Sequence, residues 1–397
     1  MSTRGQHTSS GMLKIMLTLP PLALYIHIPW CVRKCPYCDF NSHAADGALP
    51  EDLYVTALLR DLDQDLPRVW GRVVSSVFFG GGTPSLFSAR AISAILDGVR
   101  ARLKLRPDAE ITLETNPGTS EHGHFDGYRA AGVNRLSFGA QTFDDAQLKR
   151  LGRIHGASEI ERAVALARAA GFTNYNLDLM YALPGQTLAA AVGDVERALA
   201  LEPNHLSHYQ LTLEPNTEFA IHPPSDLPDA DRAWDIEQAA IERMAQAGLQ
   251  RYEVSAYARA GFASQHNLNY WQFGDYLGIG AGAHGKITDM AQASITRTVK
   301  FKSPKSYLAR AEEGPLLSEE RTLKSAELPF EFMLNALRMC AGFALATFER
   351  RTGLARSVLA DVLAGAVSDG LLAIQGDHVR PTEHGFNHQN ALIQRFM

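Results

Sequence analysis

The chain has 397 residues, 46% hydrophobic and 20% charged, which excludes a disordered or fibrous protein and leaves room for one large or two to three ordinary domains. Lys and Arg number 38 against 43 Asp and Glu, a net charge of -5, so no basic field exists to hold nucleic acid non-specifically or to coat an anionic membrane. No run of 18 apolar residues indicates a transmembrane segment, and Pro20 and Pro21 break the apolar stretch around Ile15 to Leu24.

Residues 1–21 open with the small, polar run Met1 to Gly11, which lacks the order of a signal peptide and is expected to be a disordered tail, with Met12 or Met16 as alternative starts. Over 22–256, short β-rich runs alternate with helical patterns, the signature of successive βα units around a parallel sheet. The expected strands are Leu22–Ile28, Val73–Phe79, Glu110–Thr115, Arg135–Gly139, Asn174–Met180 and His205–Leu213, with Tyr252–Ser255 as a weaker seventh. Between them, Ser88–Leu103 and Ser158–Ala170 carry helical spacing, and each opens on a serine placed to cap it. Right-handed crossovers wind such units into a barrel or an open twisted sheet. From about Tyr257 the βα repetition stops, and 257–326 reads as a connecting subdomain with a Gly-rich, aromatic stretch at Phe273–Lys286. The last part, 327–397, is expected to be mainly helical and winged-helix-like: helices at Leu345–Thr352 and Arg356–Gly365, then a β-wing around Gly376-Asp377. Acids balance bases there, so packing or lid duty is expected rather than nucleic-acid binding.

Three of the four cysteines, Cys31, Cys35 and Cys38, fall within eight residues directly after the first strand. That is too few for a disulfide scaffold and suggests a ligand site in a reducing compartment. Thiolates select zinc or iron–sulfur centres. Zinc needs a fourth ligand, from His27, Asp39 or His43, whereas a [4Fe–4S] cubane on three cysteines leaves one iron open, and the C-x3-C-x2-C spacing fits the second case. Cys340, in an apolar helix-like run, reads as a small buried hydrophobe.

Other candidates gather near the C-terminal ends of the strands, where parallel barrels build their sites. Gly80-Gly81-Gly82-Thr83-Pro84 follows the second strand and lets backbone approach a ligand, or simply makes a tight turn. Glu114 and Asp178 suit a ribose diol and Arg153 suits a carboxylate, although capping or ion pairing would use the same residue types. His266-Asn267-Leu268-Asn269-Tyr270-Trp271 offers an imidazole and aromatic faces, which suit haem; its plainer reading is a structural histidine within core packing.

The cysteine triplet, Tyr37 before the last cysteine and the loop placement resemble the radical S-adenosylmethionine (SAM) superfamily. The resemblance implies an α/β fold with a partial (βα)6 barrel and a C-terminal mainly helical, winged-helix-like domain. It also implies a [4Fe–4S] cluster on Cys31, Cys35 and Cys38, with SAM on the open iron. It narrows to the oxygen-independent coproporphyrinogen III oxidase family over about Leu22 to Met397, on Tyr25–Pro29, Gly80–Ser85, Glu114–Pro117, Ser137–Gln141, Asp178–Gln186 and Gly278–Gly285. By that resemblance Tyr25, Tyr37, Gly81, Gly82, Thr83, Glu114, Gln141, Arg153, Asp178 and Thr212 line a SAM pocket, with His284 as a further candidate.

Two departures separate the chain from the porphyrinogen-oxidising branch: Phe40 stands where that branch has another cysteine, and the arm before Leu22 is short. Both match the haem-chaperone branch, whose H-N-x-x-Y-W motif resembles residues 266–271 and makes His266 a candidate haem ligand, with His205, His208 and His222 as alternatives. The resemblance thus implies a cytoplasmic carrier that binds haem and hands it to acceptor haemoproteins, respiratory ones among them. It further suggests a cluster-dependent homodimer, with no catalytic residues and no nucleic-acid partner. The alternatives are a radical SAM enzyme that oxidises porphyrinogen and a zinc-stabilised α/β protein with a nucleic-acid-binding winged helix.

Overall fold

The computed structural model describes residues 17–118 and 124–397, so most of the expected 1–21 tail lies outside the described residues. Six strands lie side by side in chain order and run parallel: β1 (Leu22–Ile28), β2 (Val73–Gly81), β3 (Lys104–Thr115), β4 (Arg135–Gln141), β5 (Tyr175–Tyr181) and β6 (His205–Gln210). Helices such as Glu51–Asp65, Ala89–Arg102, Ala157–Ala169 and Leu188–Ala200 make the crossovers that parallel neighbours require. Leu24, Ile26, Val77, Phe79, Leu113, Phe138 and Leu177 form one buried cluster with these helices.

Strand limits differ from expectation where pairing overrides local pattern. β3 begins at Lys104 because its first residues pair with Val73 and Val74 before a register shift. β6 stops at Gln210, which leaves Thr212 on the following loop. Ser88 caps its helix as expected, its hydroxyl accepting from the Ala91 amide at 3.2 Å. Ser158 does not: the helix starts at Ala157, and carboxylates of Asp145 and Glu159 accept the amides of Ala157 and Gly156, each at 2.8 Å. The weak seventh strand resolves into a hairpin, β7 (Gln250–Glu253) and β8 (Ala256–Ala258), with β8 antiparallel to β6.

Residues 257–326, read from sequence as a connecting subdomain, extend the same sheet past β1. β9 (Asp275–Ile279) is parallel to β1, and β10 (His284–Asp289), β11 (Ser294–Lys300) and β12 (Leu317–Thr322) follow as an antiparallel meander. The whole is a 12-stranded sheet in the order β12-β11-β10-β9-β1-β2-β3-β4-β5-β6-β8-β7. The glycines here serve packing: a Cβ on Gly278 would run into the His284 carbonyl where β9 and β10 cross.

The C-terminal part packs helices Leu328–Ala336, Leu345–Thr352 and Ala360–Ser368 around Phe332, with a three-stranded sheet of β13 (Phe343–Ala344), β14 (Leu372–Gln375) and β15 (His378–Pro381). The helix expected at Arg356 opens as a 3-10 turn and becomes α-helical at Ala360, and the wing turns at Gly376 as expected. Among the described residues, no helix is long and apolar enough to cross a membrane. Replacing Gly278 with Ala is expected to cost about 3 kcal/mol or more of stability, read as a lowered denaturant midpoint, because backbone rather than a flexible side chain blocks the new methyl.

Candidate functional site

The loop after β1 is pinned at both ends. Trp30–Cys31 pairs in parallel with His43–Ala44, and the Ala45 amide donates to the Cys31 carbonyl at 2.8 Å. Asn41 ties the loop to the far sheet by donating to the carbonyls of Ala281 and Lys302, both at 2.9 Å. Within this frame Cys31, Cys35 and Cys38 are free thiols that face one cavity at the C-terminal mouth of the barrel. Burial pushes the Cys31 and Cys38 thiols up, so binding a metal centre there must release protons.

The donor set fits a cluster better than a single ion. Among the described residues, no three His, Cys, Asp or Glu side chains converge on one metal position, yet all three thiols border the same space. A cubane takes one thiolate per iron and needs them spread, whereas zinc needs them convergent. His27 cannot supply a fourth zinc ligand as it stands, since its ring nitrogens meet the Tyr25 hydroxyl and the Asn41 carbonyl oxygen, each at 2.9 Å. Cys340 does not border this cavity; its amide donates to the Tyr252 carbonyl on the far side of the barrel.

The cavity, of about 320 Å³, brings together nine of the ten residues expected to hold SAM: Tyr37, Gly81, Gly82, Thr83, Glu114, Gln141, Arg153, Asp178 and Thr212. Tyr25 lies deeper, in a second cavity behind the first. His284 does not border either cavity. The glycines fit tightly against β1 and the cysteine loop: a Cβ on Gly81 would strike the His27 ring and one on Gly82 the Trp30 carbonyl. Their amides are already committed, Gly81 to Glu114 at 3.1 Å and Gly82 to the Ile28 carbonyl at 2.8 Å.

Burial, and then the charge of Asp178, pushes the Glu114 carboxyl up to about 8, against the pull of the Gly81 amide. It is therefore protonated at neutral pH and can both donate and accept. Burial raises Asp178 too, opposed by Ser207, Asn176 and Ser137, with Asn176 donating at 2.7 Å. Arg153 reaches the Cys35 sulfur at 3.8 Å, the Gly139 carbonyl at 2.8 Å and Asn116. Gln141 holds a left-handed φ of 70° at the end of β4, and the Tyr209 hydroxyl donates to its side-chain amide oxygen Oε1 at 2.7 Å. Sequence reasoning passed over Tyr209, Asn116 and His155, which border the same cavity. Burial, and then the nearby Arg153 charge, pushes His155 down to about 3, so its imidazole is neutral. For Tyr209 a signal existed, since it continues the alternation His205, Ser207 along β6.

His266, the candidate haem ligand, lies inside the barrel. It is 1% exposed on the short helix Gln265–Trp271 that closes the floor of the barrel. Its Nδ1 meets the Ser76 hydroxyl at 3.0 Å and its Nε2 the Tyr270 hydroxyl at 3.1 Å, while Phe78 stacks on the ring at 5.0 Å. Glu110 accepts the amides of Gln265 and His266 and fixes the helix start. Bonding iron would require the ring to surrender a hydrogen bond inside the barrel. Of the alternative histidines, His205 has both nitrogens engaged by Asn176 and Tyr252, and His208 is buried against Tyr181. His222 is exposed at the end of a short helix.

Residues 25–198 match the radical SAM superfamily, and residues 323–387 match the HemN C-terminal domain. Over 382 residues the chain is 50% identical to the haem chaperone HemW of Escherichia coli K12, covering 96% of this chain and 100% of that protein. It is 35% identical over 352 residues to the haem chaperone HemW of Bacillus subtilis strain 168, covering 85% of this chain and 90% of that one. Among solved structures it resembles coproporphyrinogen III oxidase HemN from Escherichia coli, a radical SAM enzyme, at a TM-score of 0.80 and 26% identity, covering 95% of this chain and 90% of that one.

Glu114 sets a pH dependence. Its carboxyl sits near 8 in the folded chain and near 4.5 unfolded, so the folded state holds the extra proton between these values and stability falls as pH rises through that window. Glu114→Gln is expected to flatten the fall, leaving stability at pH 4.5 unchanged and raising it by up to a few kcal/mol above pH 8. Denaturant midpoints of the cofactor-free protein across that range provide the check.

Proposed function

This chain belongs to the HemW family within the radical SAM superfamily, and on that footing we propose that it is a haem chaperone, which binds haem and passes it to acceptor haemoproteins, respiratory enzymes among them. The reading includes a [4Fe–4S] cluster on Cys31, Cys35 and Cys38 with exchangeable SAM, a cluster-dependent homodimer and a cytoplasmic working place, where free thiols persist. The observation that carries the cofactor part is the single cavity shared by three free thiols and nine expected SAM residues.

When bound, the cluster with SAM supplies a one-electron centre at the barrel mouth. The chain's own residues do the holding. The clamped loop presents the thiols, with Arg153 beside Cys35 placed to offset thiolate charge and to meet a carboxylate. Glu114, protonated, and Asp178, held by Asn176, face the position of a diol. Tyr37, Gln141 and Thr212 complete the wall.

A second reading, porphyrinogen oxidation, is favoured by the likeness to HemN across 95% of this chain. Against it stands Phe40, 59% exposed at the cavity rim where the oxidising branch carries a cysteine. An anaerobic assay for vinyl product separates the two, and no product is expected.

Anaerobic haem titration of the cluster-loaded chain, followed in the Soret band, is expected to saturate; failure to saturate would remove the carrier reading. Replacing any one of Cys31, Cys35 or Cys38 with Ala is expected to abolish the iron–sulfur absorbance and bound iron. His266→Ala is expected to lower stability by about 2–3 kcal/mol through its lost buried hydrogen bonds, with the Soret maximum unmoved. A shifted maximum would return His266 to the iron.

A further inference from the structure

Behind the outer cavity, and sharing Glu114, Ser137 and Asp178 with it, lies a second, half-open one of about 240 Å³, lined by barrel strands and the helix Gln265–Trp271. Arg135, at the start of β4 and 2% exposed, lines it. Its Nε is buried without a hydrogen-bond partner. The nearest carboxylate, Glu110, stands 3.9 Å from Nε, an ion pair without a hydrogen bond, and its oxygens already accept from Ser264, Gln265 and His266. Other polar groups of this wall are engaged: His205 and His266 at both ring nitrogens, Asn176 with Ser137 and Asp178.

A buried guanidinium with unused donors is expensive unless something fills them. Its fork matches the two oxygens of a carboxylate, while its charge already faces Glu110 and, on the chamber wall, Asp178. The rings of Tyr25, Phe78 and Tyr270 line the same space and offer an apolar wall to an alkyl chain, which a bare inorganic anion would not use.

We propose that this inner chamber is a binding site for a small organic monocarboxylate, gripped by Arg135 with its alkyl part against Tyr25 and Phe78. The site is separate from haem binding and does not require the chaperone reading. It gives the residue-266–271 motif a further role, because Asn267 and Tyr270 form part of its wall.

The test uses the full chain with sodium propionate as probe, against 1-propanol, sodium phosphate and sodium chloride at equal ionic strength, by thermal shift and calorimetric titration. Propionate alone is expected to give a saturable rise in melting temperature. Arg135→Gln is expected to weaken it about tenfold or more, with Arg135→Lys recovering part. Because Arg135→Gln risks misfolding, Asn267→Leu, at a half-buried wall position away from the Asn176–Asp178 network, narrows the chamber, keeps the guanidinium and is expected to weaken the response about tenfold or more in a folded protein. No saturable response to propionate, equal affinity in the wild type and both chamber variants, or phosphate binding as well as propionate would each overturn the proposal.

Discussion

A parallel barrel usually fills its interior with apolar side chains, and this one does not. Alternate residues of four strands are polar on one face: Thr112 and Glu114 on β3, Arg135 and Ser137 on β4, Asn176 and Asp178 on β5, His205 and Ser207 on β6. Buried polar groups must find partners or leave space for them. Most other features of the molecule answer that demand: the Asn176–Ser137–Asp178–His205 network, the carboxyl of Glu114 kept protonated, and the continuous space from the mouth to the inner chamber.

The floor of the barrel answers it too. Helix Gln265–Trp271 brings His266 in to meet Ser76, takes its N-terminal capping from Ser264 and Glu110, and fixes Asn269 on the Asp275 carbonyl at 2.8 Å. Trp271 at its end lies under Arg338, which also pairs with Glu253 at 3.0 Å, so the C-terminal part is fastened to the floor. The same motif thus also ties the barrel floor to the C-terminal hydrophobic cluster. Asp275 anchors the same corner through Arg72 and Lys286.

At the other end the mouth is held open by stiffness. The cysteine loop is pinned by a short parallel pair, by Asn41, and by glycines at 81 and 82 that let β2 lie directly against it. Such a loop sets three thiols on one space. Exposed Val32, Phe40 and Ile154 stand at the rim of that space beside the charged Arg33 and Asp39.

The sequence by itself determined what is local. The cysteine spacing, the strand–glycine junction at Gly80–Thr83 and the six βα units are written in contiguous residues, and alternation along β4 to β6 already marked a polar face. Only the tertiary structure decided what depends on distant partners. The strands of 275–322 join the edge of β1 because backbone edges pair across hundreds of residues without a sequence mark. Tyr25 drops behind the outer cavity, and Thr212 reaches that cavity from a loop, because strand ends are set by neighbours. His266 turned inward because its helix is oriented by Glu110, on a strand 156 residues away. Residue type states which chemistry a side chain can perform; which way it faces, and therefore whether it performs it, follows from packing that no single segment contains.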